Sequence, residues 1–315
     1  MDNTWNISDV ICLNGVMKVP EMAEVRVAFF DARDKVYKDT VLWEGVKRLG
    51  IYDPSGNYSD IDLVFRDAVI NLEVAGEEDR FVCKITSDRK AVYIKYYIEG
   101  LLRWGVQGEV GSKGNRIYIA TNRKEFEVTV LGKVDVDTLV NNATHPGVLV
   151  NSDETVYIRC NNSMSEEEIE RYLAKKKTEC INKTARSGGF LEDSCEAVLK
   201  GIMWNTHYEP YHKRWCTAIS RQWCTGSGSG YGKFGLYFIP VWDTLFMGLM
   251  SGIINKEMAY MQVYNLLHGI TEEGMVPCAT ERGNTLDRSQ PPVGSYCVLK
   301  LYRQFGEIEF LKRTF

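Results

Sequence analysis

TVYIRCNNSMSEEEIERYLAKKKTEC, residues 155–180, contains the point at which the chain changes its period. Over 155–160, β-branched and aromatic side chains follow one another as in a strand. From Ser165 onward, Ile169, Tyr172, Leu173 and Cys180 recur at helical spacing, with Lys175 to Lys177 turned toward solvent. Ser165 and Glu168 form the reciprocal pattern of a capping box, which marks the helix start. A strand that gives way to a capped helix within ten residues predicts a domain boundary near residue 160. The expectation is a multidomain β + α chain, with an N-terminal β-sandwich-like domain over 1–160 and a helical domain over 161–315.

On the N-terminal side the strand signal recurs in AVYIKYYI (91–98), RIYIATN (116–122) and EFEVTVLG (125–132), separated by the turn clusters GEVGSKGN (108–115) and NSDE (151–154). Several short strands with turns between them point to a sandwich. Before residue 60 the pattern is weaker, and VLWEGV (41–46) reads equally as strand or short helix. On the C-terminal side Leu191, Cys195, Val198, Leu199, Ile202 and Met203 form a second helix that runs into Trp204. A third begins near Asp243, with Leu245, Phe246, Leu249, Met250, Ile253 and Ile254 expected inside. A fourth covers about 257–267, and a fifth opens at Pro291 and Pro292 and ends near Gly306. Short and long connections alternate, as in helical hairpins whose long loops gather at one end.

Composition narrows the function. The chain has 315 residues, more than one ordinary core needs, with 44% hydrophobic and 25% charged residues, an average globular balance. A net charge of −4 and a pI near 5.7 give no basic face for nucleic acid or an anionic membrane. Neither partner is expected. No apolar run is long enough to span a bilayer, and MDNTWNISDV lacks a basic segment followed by an apolar one. The nine cysteines (12, 83, 160, 180, 195, 216, 224, 278 and 297) are scattered without a C-x-x-C pair. They read as reduced, partly buried thiols of a cytoplasmic protein.

Four polar and aromatic blocks stand out: WNTHYEPYHKRW (204–215), SRQW (220–223), PVWDTLF (240–246) and DRSQPPV (287–293). Trp and Tyr faces suit pyranose C–H groups, while Arg, Asp and Gln suit paired hydroxyls, so the blocks read as a sugar-binding cleft. The candidate binding residues are Trp204, Tyr208, Arg221, Trp223, Trp242, Asp243, Asp287, Arg288 and Gln290. Some have a plainer alternative. Asp243 fits an N-cap, Asp287 and Arg288 fit local turn pairing, and the two prolines simply start a helix. The case for binding is company, since a core has little use for so many arginines and tryptophans. Two other motifs are set aside. In TGSGSGYGKFG (225–235) Ser227 stands where a phosphate loop needs its first glycine, and Phe234 where it needs Ser or Thr, so a mobile loop over the sugar pocket is the expectation. His207 and His212 flank Glu209 but lack helical spacing and a fourth ligand, so no metal and no cofactor is expected.

In order, W-x-T-x-Y-x-P, S-R-x-W, a glycine-rich stretch, W-D-x-x-F and D-R-S-Q-P-P resemble glycoside hydrolase family 63 and trehalase-like enzymes, including mannosylglycerate and glucosylglycerate hydrolases. The likeness covers about 190–315. It implies an (α/α)6 toroid, a six-hairpin glycosidase that hydrolyses an α-glucoside or related oligosaccharide with inversion. It also implies that Asp243 contacts the sugar in the −1 subsite, that Trp242 lines the pocket and that Gln290 is the pocket glutamine. Inversion needs an acid and a base, about 6.5–9.5 Å apart. In relatives these come from an E-S-G-x-D-like block and a C-terminal Glu. Neither block occurs here, and the chain supplies about half of the twelve helices. The resemblance therefore implies an incomplete toroid with no catalytic residue of its own. Such a chain is a fragment, a truncated product, or one half of an assembly that a second chain completes. A non-catalytic carbohydrate-binding protein and a purely structural module remain the competing readings.

Overall fold

The computed structural model describes residues 3–7, 12–183, 187–209, 213–217, 239–280, 285 and 287–314. The chain divides into two compact units, Met1–Lys183 and Thr184–Phe315.

The first unit is built on two antiparallel sheets. One holds β1 (Thr4–Asn6), β2 (Gly15–Val19), β3 (Ala23–Asp31), β4 (Val36–Lys38), β9 (Ile94–Leu102) and β13 (Gly147–Asn151), in the order β1-β2-β3-β9-β13 with β4 on β3. The other holds β5 (Val46–Tyr52), β6 (Ser59–Phe65), β7 (Ala68–Glu77), β8 (Arg80–Ser87), β10 (Gly108–Lys113), β11 (Arg116–Thr121), β12 (Glu125–Leu131) and β14 (Val156–Cys160). Its order is β10-β11-β12-β14-β8-β7-β6-β5. The inner faces meet in an aromatic core: Trp5 of β1 lies 4.7 Å from Phe81 and 5.1 Å from Phe126, and Phe29 lies 5.5 Å from Phe65. Gly100 permits this approach, because a Cβ there would come within 2.6 Å of Ile117. GEVGSK (108–113), expected as turn, is the edge strand β10. Its two glycines and exposed polar residues are tolerated there because only one side of an edge strand is paired. The ambiguous VLWEGV (41–46) contains a 3-10 turn, Trp43–Gly45, that leads into β5.

The helix expected from Ser165 is α1 (Glu166–Lys183). Its capping box forms in both directions: Ser165 N–H donates to Glu168 at 2.8 Å, and Glu168 N–H donates to the Ser165 hydroxyl at 3.3 Å. The sequence assigned this helix to the C-terminal domain, whereas its apolar face packs on the eight-stranded sheet. Ile169, Leu173 and Cys180 join Tyr58, Ala75, Val82 and Tyr157. Glu170 fixes the register by pairing with Lys84 at 2.8 Å and accepting from the Tyr157 hydroxyl at 2.8 Å. Periodicity shows that a face is buried but not what covers it, so the division falls after residue 183 rather than at 160.

The second unit contains α2 (Ser194–Asn205), α3 (Val241–Ser251), α4 (Lys256–Leu267), α5 (Gly294–Phe305) and α6 (Ile308–Thr314). Its core joins Val241 and Leu245 of α3, Ala259, Tyr260, Val263 and Leu266 of α4, Cys297, Val298 and Leu301 of α5, and Phe310 of α6. Gly248 lets α3 approach α4 closely, because a Cβ would stand 3.3 Å from the Ala259 carbonyl. Asn255 caps α4 by accepting from Met258 N–H at 3.0 Å, and Gly306 ends α5 in the left-handed conformation. Two residues expected inside are exposed: Phe246 and Ile253. Phe246 lies on an exposed face of α3 and Ile253 in the turn that follows the helix, and the spacing pattern alone could not separate these from the buried positions. Among the described residues no helix is long and apolar enough to cross a membrane, and the eight described cysteines form no disulfide.

Candidate functional site

The start of α3 is assembled from three pieces of chain. β17 (Ile239–Pro240) pairs with β18 (Ala279–Thr280) and delivers the backbone to the helix. Pro240 is the N-cap and offers no side-chain oxygen. The exposed helix donors are met from elsewhere: Val241 N–H donates to the Cys278 carbonyl at 3.1 Å, and Trp242 N–H to Gln290 Oε1 at 2.6 Å. The segment carrying Gln290 is itself tied down. Cys278 N–H donates to the Arg288 carbonyl at 2.9 Å, and Ala279 N–H to the Thr285 hydroxyl at 3.0 Å. Gln290 therefore performs the capping that the sequence offered as the plain reading of Asp243. Asp243 is the third residue of the helix, three positions past the N-cap.

That displacement leaves Asp243 half-buried with a carboxylate that has no hydrogen bond or ion pair among the described residues. Trp242 and Phe246, one turn apart, present their rings outward at 6.4 Å between centroids, each 39% exposed. An apolar ring pair, an unengaged carboxylate and the positive end of a helix dipole thus share one short surface. Phe246 is the residue that sequence reasoning missed, although the spacing of W-D-x-x-F already places it on the face of Trp242. Asp287 and Arg288 are exposed and pair with one another at 3.1 Å, as local turn pairing predicts.

The first aromatic block is placed differently. Trp204 lies in the last turn of α2, and β15 (Thr206–Glu209) and β16 (Arg214–Thr217) pair antiparallel, where helix starts and loops were expected. Trp204 and Tyr208 are each 1% exposed, and Tyr208 packs edge-on against Trp215 at 5.7 Å. These rings serve the interior. Arg214, which a core was not expected to accept, is buried with Glu209 at 3.7 Å and donates to the Asn265 carbonyl at 3.3 Å. The hairpin docks on α4 through buried amides: Gln262 accepts from Thr217 N–H at 3.0 Å and Asn265 donates to the Trp215 carbonyl at 2.7 Å. Arg221, Trp223, His212 and the glycine-rich stretch lie outside the described residues. Among the described residues no group of His, Cys, Asp and Glu is arranged to hold a metal ion.

The sequence matches no family model and no curated protein. Solved structures share partial similarity. A bacterial glucoamylase complexed with acarbose matches at 11% identity and TM-score 0.42, over 89% of this chain and 51% of that one. A protein assigned as a kojibiose phosphorylase from the human microbiome matches at 12% identity and TM-score 0.42, over 98% and 50%. The family GH92 inverting mannosidase from Bacteroides thetaiotaomicron matches at 11% identity and TM-score 0.31, over 93% and 54%. The chain spans about half the length of these structures.

Proposed function

We propose that the start of α3 binds a saccharide and that this chain is part of a carbohydrate-processing protein. The observation that carries the reading is the Asp243 carboxylate, half-buried and without a hydrogen bond or ion pair among the described residues, beside the exposed Trp242–Phe246 ring pair. A carboxylate in that setting accepts from two neighbouring hydroxyls, while the rings take the C–H face of a pyranose. Gln290 holds Trp242 by its main chain, which keeps ring and carboxylate on rigid backbone. In its finer form, resting on the resemblance to family 63, the ligand is an α-glucoside and the whole protein hydrolyses it with inversion. In this reading Asp243 binds, and the acid and base come from groups outside this set, so the 315-residue chain alone turns over little or no substrate.

Titration of the chain with methyl α-D-glucopyranoside and glucosylglycerate, followed by calorimetry and by the Trp242 indole N–H resonance, tests the binding step. Saturable binding is expected, weakened about tenfold or more in Asp243→Ala, because a hydrogen bond to a charged group contributes roughly 1.5–3 kcal/mol. If Asp243→Ala and Trp242→Ala leave the binding of every sugar unchanged, the helix start is packing alone.

A further inference from the structure

The first unit carries a cavity of its own. It has a volume of about 310 Å³, at the lower end of small-molecule sites. Glu77, Glu78 and Arg80 of the β7–β8 hairpin line it, with Phe81 and Val82 of β8 and with Asn162, Met164 and Tyr172. The lining segments are anchored by hydrogen bonds. Lys18, wholly buried, donates to the Glu78 carbonyl at 2.5 Å and to Asn3 at 2.6 Å, and pairs with Asp79 at 3.0 Å. This holds the turn although Glu78 has the left-handed φ of 50°, a conformation a non-glycine residue keeps only when its surroundings impose it. Asn162 donates to the carbonyls of Cys160 at 2.8 Å and Phe81 at 3.2 Å and accepts from Met164 N–H at 3.2 Å. A site with such walls needs little ordering when a ligand enters.

The lining chemistry selects the ligand. Arg80 is Glu77's cross-strand partner yet makes no salt bridge among the described residues, so its forked donors are open to a ligand. Burial first, and then the Glu77 carboxylate, push the Tyr172 phenol up to about 12, so it remains a neutral hydroxyl. Two carboxylates oppose an anion such as phosphate, and Arg80 opposes a cation. What remains is a neutral molecule that both donates and accepts, with an apolar side for the Tyr172 ring and Met164. We propose that this cavity is a saccharide site, separate from the start of α3, in which Arg80 donates to and Glu77 accepts from adjacent hydroxyls of a neutral sugar.

The test is ¹⁵N NMR titration of the full chain with methyl glycosides of glucose, mannose and galactose. Inorganic phosphate and methylammonium serve as ionic probes. Saturable shifts are expected at the amides of Glu77 to Arg80 and the Arg80 Nε–H for at least one sugar, with no comparable response to either ion. Arg80→Gln and Glu77→Gln alter exposed side chains and each should weaken that binding about tenfold or more. Asp243→Ala should leave the hairpin shifts intact, which separates this site from the one at α3. The proposal is overturned if no sugar produces saturable hairpin shifts, if both Gln variants bind as the parent does, or if only an ionic probe binds.

Discussion

Replacing Gln290 with alanine isolates the device that starts α3. The Trp242 N–H to Gln290 Oε1 bond, 2.6 Å long, stands in for the missing side chain of the Pro240 N-cap. A lost cap costs about 0.5–2 kcal/mol, and a neutral hydrogen bond contributes about 0.5–1.5 kcal/mol. Freeing the Gln290 side chain returns some rotamer entropy, which favours the lower half of those ranges. The expected loss is therefore about 1 kcal/mol, roughly a fivefold change in the local opening equilibrium. Gln290→Glu keeps the acceptor and adds an anion at a helix N-terminus, a gain of about 0.3–1 kcal/mol. Repulsion from Asp243 offsets part of that gain. The expected order of stability is parent and Glu variant together, with the Ala variant below them. Hydrogen exchange at the Trp242 amide should run about fivefold faster in Gln290→Ala, with a matching fall in the denaturation midpoint of the helical unit. Unchanged exchange in the Ala variant, or a Glu variant less stable than Ala, would refute the reasoning.

Two further outcomes test the packing of each unit separately. In the first unit Asp135, 11% exposed at its side chain, is held by Lys95, by the Thr138 hydroxyl at 3.0 Å and by the N–H groups of Asp137 and Thr138 at 3.0 and 2.9 Å. Burial pushes this carboxyl up, but the Lys95 and Thr138 hydrogen bonds outweigh it and bring it down from 3.8 to about 2. Its contribution is complete above the unfolded value and fades as pH falls through the folded one. Acid titration of stability between about pH 4 and 2 should thus cost the parent about 2 kcal/mol more than Asp135→Asn; equal slopes would count against it. In the second unit Phe310 is buried and stacked on Tyr260 at 3.9 Å and 6°. Phe310→Ala should destabilise that unit by about 3–5 kcal/mol in thermal or chemical unfolding, and a loss under about 1 kcal/mol would show that α6 is not part of the core.

Much of the secondary structure was legible because its signals are local. The Ser165–Glu168 capping box lies within one turn, and β9, β11, β12 and β14 are each short and rich in β-branched and aromatic residues. The burial of the first aromatic block was not legible, for a related reason. Trp204, Tyr208 and Arg214 have the composition of a ligand site, but Arg214 finds Glu209 across the hairpin and an Asn265 carbonyl 51 residues away. Residue type cannot show such partners. The same holds for Phe246, which has an apolar side chain at apolar spacing and yet faces outward.

The sequence alone determined the two kinds of structure, the helix start at Ser165 and the nomination of Trp242, Asp243 and Gln290, because each rests on chemistry within a few residues. Tertiary structure decided which sheet takes α1, that the hairpin rings are interior, and that Gln290 rather than Asp243 satisfies the first turn of α3. Those outcomes depend on which distant group reaches a donor or an apolar face first. Only the folded chain brings the two ends of a 48-residue separation within hydrogen-bonding distance.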